Sequence, residues 1–231
     1  MIWQGACFHL SQTMKKLKYI LPVLIAIACF GLQQAKAVPQ TYSLGAGNSA
    51  ISGYPAPYGS ATVTLLTGNT ASITFTAANT ASYQYLFGDG GSVAVNVNGA
   101  FTLGAITGTH LTGFSATSYS NGGAGNEDGF GSFNLSINSM GGYTQASNSI
   151  TFTLTGSWAN EGSVLTANAN GARVAAHIFV AAFPASVKQG ALTTGFAASS
   201  GAVNTPDGGT TVMLLGAALG VLGMARRYLF S

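Results

Sequence analysis

Between Val38 and Asn204 the chain holds four carboxylates, Asp89, Glu127, Asp128 and Glu161, and two histidines, His110 and His177. Paired carboxylates can act as acid and base in glycoside hydrolysis, and Glu127 with Glu161 is the pair this inventory allows. Nothing in their spacing brings them together, so loop carboxylates are the plainer reading. Asn126-Glu127-Asp128-Gly129 could offer oxygens to Ca²⁺, which takes about six to eight. The spacing of an EF-hand loop is absent, and a turn is expected. Period two along Arg173-Val174-Ala175-Ala176-His177-Ile178-Phe179-Val180 puts His177 with Arg173 and Phe179, opposite Val174, Ile178 and Val180. One such histidine is no metal site, and the sequence does not place His110 beside it. Trp158, Tyr83, Tyr85 and Tyr119 would stack on sugar rings if they shared an exposed face, although core or edge packing is the commoner fate of such residues. Asn134-Leu135-Ser136 matches a glycosylation acceptor. No P-loop, no helix-opening G-x-G-x-x-G, no H-E-x-x-H and no G-x-S-x-G occurs. The expectation is therefore a protein without catalytic residues, bound metal or cofactor, and not an enzyme.

The elements that carry these residues are set by an unusual composition. Of 231 residues only 6% are charged, 47% are apolar and 32 are glycine. A disordered chain would be more charged and less apolar. Six of the eight basic residues flank two apolar runs near the ends: Lys15, Lys16, Lys18 and Lys36 at the front, Arg226 and Arg227 at the back. The middle retains Arg173 and Lys188 against its four carboxylates, a net charge of −2. Nucleic-acid binding, which needs clustered cations on one face, is excluded as a partner class.

From Met14 the chain reads Met-Lys-Lys-Leu-Lys, then an uncharged stretch from Tyr19 to Leu32, then Gln33-Gln34-Ala35-Lys36-Ala37. Basic head, apolar middle and small-x-small end are the order of a secretory signal. Residues 1–37 form the expected leader, with Met14 as the start and signal peptidase cutting after Ala37. The small side chains of Ala35 and Ala37 suit the shallow pockets of such a peptidase. Cys7 and Cys29 both precede the cut, so the mature chain has no disulfide and relies on its core and backbone ladders.

At the other end, residues 212–225 are uncharged and are followed by Arg226-Arg227. Eighteen residues from Gly208 would rise about 27 Å as a helix, barely enough for a hydrocarbon core of ~30 Å. A transmembrane helix over 212–225 is expected. The basic residues beside each run hold both ends in the cytoplasm, which puts the middle beyond the inner membrane. Thr205-Pro206-Asp207-Gly208-Gly209-Thr210-Thr211, the short apolar run and the Arg pair together resemble the bacterial PEP-CTERM class of sorting signals, in its Val-Pro-Asp-Ser-Gly variant. Pro206, Asp207 and Gly209 match that variant, whereas Thr205 stands for Val and Gly208 for Ser. The resemblance covers residues 204–231. It implies handling by an exosortase, a membrane-embedded cysteine transpeptidase, and transfer to the cell surface or extracellular matrix, with Pro206, Asp207, Gly208, Gly209, Thr210, Arg226 and Arg227 as the sorting residues.

The body, residues 38–203, alternates β-prone runs with Gly, Asn and Asp punctuation. Residues 61–66 and 71–77 read as a hairpin around Thr67-Gly68-Asn69-Thr70, and residues 82–87 and 92–97 as a second around Gly88-Asp89-Gly90-Gly91. Residues 113–119, 130–138, 149–155 and 173–182 are further strand candidates, while Asn121-Gly122-Gly123-Ala124-Gly125 reads as a flexible surface loop. Phe133, Leu135 and Ile137 alternate with polar residues, as do Ile150, Phe152 and Leu154. Eight or more short strands predict one all-β domain, an antiparallel β-sandwich with a β-barrel as the alternative. The function expected is structural or adhesive, at the surface or among exopolysaccharide. A carbohydrate-binding module is the alternative, and a glycoside hydrolase comes third.

Overall fold

A computed structural model describes residues 38–66, 69–199 and 202–203, together with Gly216 and Leu219, two further positions of helical backbone. The leader with Ala35 and Ala37, and the sorting residues Pro206, Asp207, Gly208, Gly209, Thr210, Arg226 and Arg227, lie outside the described residues. So does the expected transmembrane helix, apart from Gly216 and Leu219. Among the described residues no helix is long and apolar enough to cross a membrane.

The body is all-β. Among the described residues thirteen strands run in chain order: β1 Gln40–Ser43, β2 Ala46–Gly47, β3 Gly59–Leu65, β4 Thr70–Ala77, β5 Tyr83–Phe87, β6 Asp89–Val95, β7 Phe101–Thr109, β8 Ser120–Glu127, β9 Gly131–Ser139, β10 Ser149–Gly156, β11 Val174–Ala182, β12 Thr193–Ala198 and β13 Ala202–Val203. They form two antiparallel sheets. One is ordered β13-β1-β3-β4-β10-β7, the other β2-β12-β11-β6-β9-β8, with β5 also paired to β11. Neither sheet closes on itself, so the two-layer expectation fits and the barrel does not.

Alternation explains the core. Val63, Ile73, Phe75, Ile150, Phe152 and Leu154 of the first sheet and Val93, Val95, Leu135, Ile137, Val174, Ile178 and Val180 of the second share one buried cluster. Phe75 meets Phe87 edge to face across the layers, ring centroids 6.1 Å apart. The intervening polar residues face out and also contribute: Thr41 and Thr62, and Thr74 and Thr151, are cross-strand hydroxyl pairs at 3.2 and 3.0 Å.

The first hairpin is present, β3 pairing β4 from Gly59↔Ala77 to Leu65↔Ala71. The second is not a hairpin. β5 and β6 both pair with the same strand, Phe87↔Ile178 and Ala94↔Ala175, so they lie end to end along β11. Seven residues separate Phe87 from Ala94 where β11 advances three, and the surplus forms a bulge. Asp89 and Gly91 adopt φ +60° and +63° there, and the Ser92 hydroxyl donates to the Asp89 carbonyl at 2.6 Å. The glycines mark a bulge within a strand line, a signal shared with a turn.

Two further expectations are corrected. Residues 113–119 are not a strand but a connection, from which Phe114 covers Leu86 and Phe179 on the outer face of the second sheet. Residues 121–125 are not a loop but the middle of edge strand β8, paired to β9 through two register shifts. Glycine without apolar alternation had argued against a strand; β8 escapes that rule because most of it is exposed and its partner supplies the pattern.

Candidate functional site

The carboxylates do not converge on a shared partner. Glu127 ends β8, where its backbone carbonyl accepts from Phe130 N–H at 2.8 Å and closes a turn into β9. Its side chain points inward and is almost fully buried. It lies over Gly91 so closely that a Cβ on Gly91 would collide with the carboxyl. Burial pushes this carboxyl up to about 7. Asp128, one residue on, faces out and accepts from the Asn48 amide at 3.0 Å. The Asn126–Gly129 stretch is thus the end of β8 running into a turn, and its two carboxyls point to different sides. Glu161 lies in a 3-10 turn, Glu161–Ser163, between β10 and β11. Among the described residues, no group of three or more His, Cys, Asp or Glu side chains is placed to hold a metal ion.

The two histidines among the described residues, His110 and His177, are each tied at both ring nitrogens. His177 Nδ1 lies 2.8 Å from the Gly88 carbonyl oxygen, which can only accept, so Nδ1 donates there, and Nε2 lies 2.6 Å from the Thr194 hydroxyl oxygen. That hydroxyl–imidazole spacing is one a nucleophile and its base would use. Here the ring stacks on Phe196, centroids 4.7 Å apart, and Thr194 also meets the Ile178 carbonyl at 3.1 Å, so the group ties β11 to β12. Period two places the ring correctly: His177 shares its face with Phe179, opposite Val174, Ile178 and Val180. His110 repeats the arrangement on the Ala146 carbonyl at 3.0 Å and on Tyr119, whose hydroxyl meets Ser147 Oγ at 2.6 Å.

The four aromatic candidates serve packing. Tyr85 is fully buried, its hydroxyl donates to the Pro55 carbonyl at 2.6 Å, and burial, with Tyr58, Tyr83 and Tyr54 nearby, pushes its ionisation up to about 12. Tyr83 meets Tyr54 edge to face at 5.0 Å. Tyr119 is held in the His110 network, and Trp158 lies over Gly156 with its indole N–H donating to the Asn98 carbonyl at 2.7 Å. Four different settings replace one stacking platform. Asn134 is likewise engaged: its amide accepts from Val97 N–H at 2.7 Å and donates to the Val97 carbonyl at 2.8 Å, replacing a backbone pair where the β6–β9 ladder ends.

The arrangement with most bearing on processing is at the edge of the first sheet. β1 pairs with β13 in the register Thr41↔Val203 and Tyr42↔Ala202. Because the strands are antiparallel, the chain before Gln40 and the chain after Val203 leave the sheet in the same direction. Ala37 is three residues before Gln40 and Pro206 three after Val203, and three residues span at most about 11 Å. The entry into β1 and the exit from β13 therefore belong to one corner of the sheet. The short strands β1 and β13 that build it, like β2 and β12 of the other sheet, were not foreseen, because two to six residues leave too few alternations to read.

The chain matches no curated protein and no solved structure. A family model, described as VPDSG-CTERM motif, matches residues 206–229. Residues 206–229 are thus a PEP-CTERM-class C-terminal sorting signal, which implies processing by an exosortase-like enzyme and is consistent with export to the cell surface.

Proposed function

We propose that this is an exported, non-enzymatic protein whose uncharged β-sandwich serves a structural or adhesive role at the cell surface or within an exopolysaccharide matrix. The observation that carries the reading is the sorting motif over 206–229, three residues past the last strand. In this account signal peptidase cuts after Ala37, the 212–225 helix is a temporary membrane stop, and an exosortase-like transpeptidase acts at Pro206-Asp207-Gly208-Gly209. The corner shared by β1 and β13 supports it, since a domain held at both ends by one membrane needs both tethers on one side. Composition supports the role: a surface of Thr, Ser, Asn and Gly suits association with neutral polymers and with other chains.

Intact-mass measurement of the protein from envelope and released fractions tests the reading. A chain beginning at Val38 and shortened beyond the Pro206-Asp207 region is expected. Full-length chain in the cytosol would overturn it. In Asp207→Ala the C-terminal shortening is expected to fall at least tenfold while the N-terminus remains Val38.

A further inference from the structure

The 3-10 turn at Glu161–Ser163 is rigidly built. The Asn160 side chain accepts from Ser163 N–H at 3.0 Å, Asn160 N–H donates to Ser163 Oγ at 3.2 Å, and the Asn98 amide donates to the Ser163 carbonyl at 3.1 Å. The turn thereby turns Glu161 inward, and Glu161 Oε1 is buried without a hydrogen-bond partner. Such an oxygen is costly unless a donor reaches it. The turn packs against β3, whose Val63 pairs with Gln40, and a Cβ built on Gly162 would stand 3.9 Å from Gln40 Oε1. The turn that carries Glu161 is therefore a neighbour of the start of β1. Val38 is two residues before Gln40, a span of at most about 7 Å.

The geometry points to a partner that the chain acquires only on processing: the α-ammonium group of Val38, captured by the Glu161 carboxylate. This rests on cleavage after Ala37. In the precursor the Val38 nitrogen is an uncharged amide. Hydrolysis of the Ala37–Val38 bond leaves a carboxylate on the departing leader and an ammonium with three donors on the mature chain. That cation supplies both the charge and the hydrogen bond that Glu161 Oε1 lacks, and the new terminus is fastened to the turn beside the edge where β13 pairs.

Once the leader is removed, Lys188, which is exposed, is the one lysine of residues 38–203 and serves as an internal reference for amine reactivity. The test is competitive acylation at pH 7 of the full chain, exported and processed by its own cells, with both amines quantified by mass spectrometry. Relative to Lys188, the Val38 amine is expected to react about tenfold more slowly in the wild type than in Glu161→Gln, a factor equal to one pKa unit. A second variant, with one alanine inserted between Ala37 and Val38, keeps Glu161 but displaces the terminus, and is expected to react like Glu161→Gln. Equal ratios in all three, with Val38 confirmed as the wild-type terminus, would overturn the ion pair and leave the sorting account intact. A wild-type terminus other than Val38 would overturn both.

Discussion

Glu127 shows how burial sets the behaviour of a residue. Its carboxyl is raised from 4.5 to about 7 by desolvation, so the folded protein binds its proton more tightly than the unfolded chain does. The stabilisation is full below pH 4.5 and is lost as pH rises through 7, by up to about 3 kcal/mol before solvent screening reduces it. Denaturant melts at pH 5 and pH 8 should show wild type weaker at pH 8, and Glu127→Gln should remove most of that difference. Asn134 offers a second measurement. Truncation to Ala strips partners from both Val97 N–H and its carbonyl, and is expected to cost about 1–3 kcal/mol. Its engagement was not visible in the sequence, where Asn-Leu-Ser reads as an acceptor for sugar.

Among the elements, regularity decided what could be read. β4 and β10 alternate without interruption and pair residue for residue from Thr70↔Thr155 to Thr76↔Ser149, and both were legible. β7 was not. Its pairing to β10 slips between Leu103↔Leu154 and Ile106↔Phe152, so Phe101 and Leu103 share one parity and Ile106 the other, although all three pack toward the core. β9 has the converse problem: Phe133 has the parity of Leu135 and Ile137, yet a register shift against β8 turns it into a separate cluster with Ala94 and Ala175. Bulges are set by tertiary pairing, and period-two reading assumes none. The candidate site was legible where it is linear, in the sorting motif, and illegible where it depends on strands as short as β13. The edges carry a prediction of their own. β7 is a nine-residue edge without charge or proline, the kind that accepts another strand. Thr107→Lys is expected to lower self-association of the purified protein at least severalfold by analytical ultracentrifugation, without changing its melting.

At the scale of the molecule, a body with two cations and four carboxylates is built almost wholly on packing and backbone ladders. Phe75 sits at its centre, fully buried against Phe87 and Phe152. Phe75→Ala is expected to cost about 3–5 kcal/mol in chemical denaturation, and that loss should be nearly independent of salt. The antiparallel β1–β13 register has one more outcome. Since entry and exit strands are neighbours, the sandwich can be spliced as a cassette into a surface loop of an unrelated host, or its ends joined by a brief linker and reopened at the β3–β4 turn, with the sheets undisturbed.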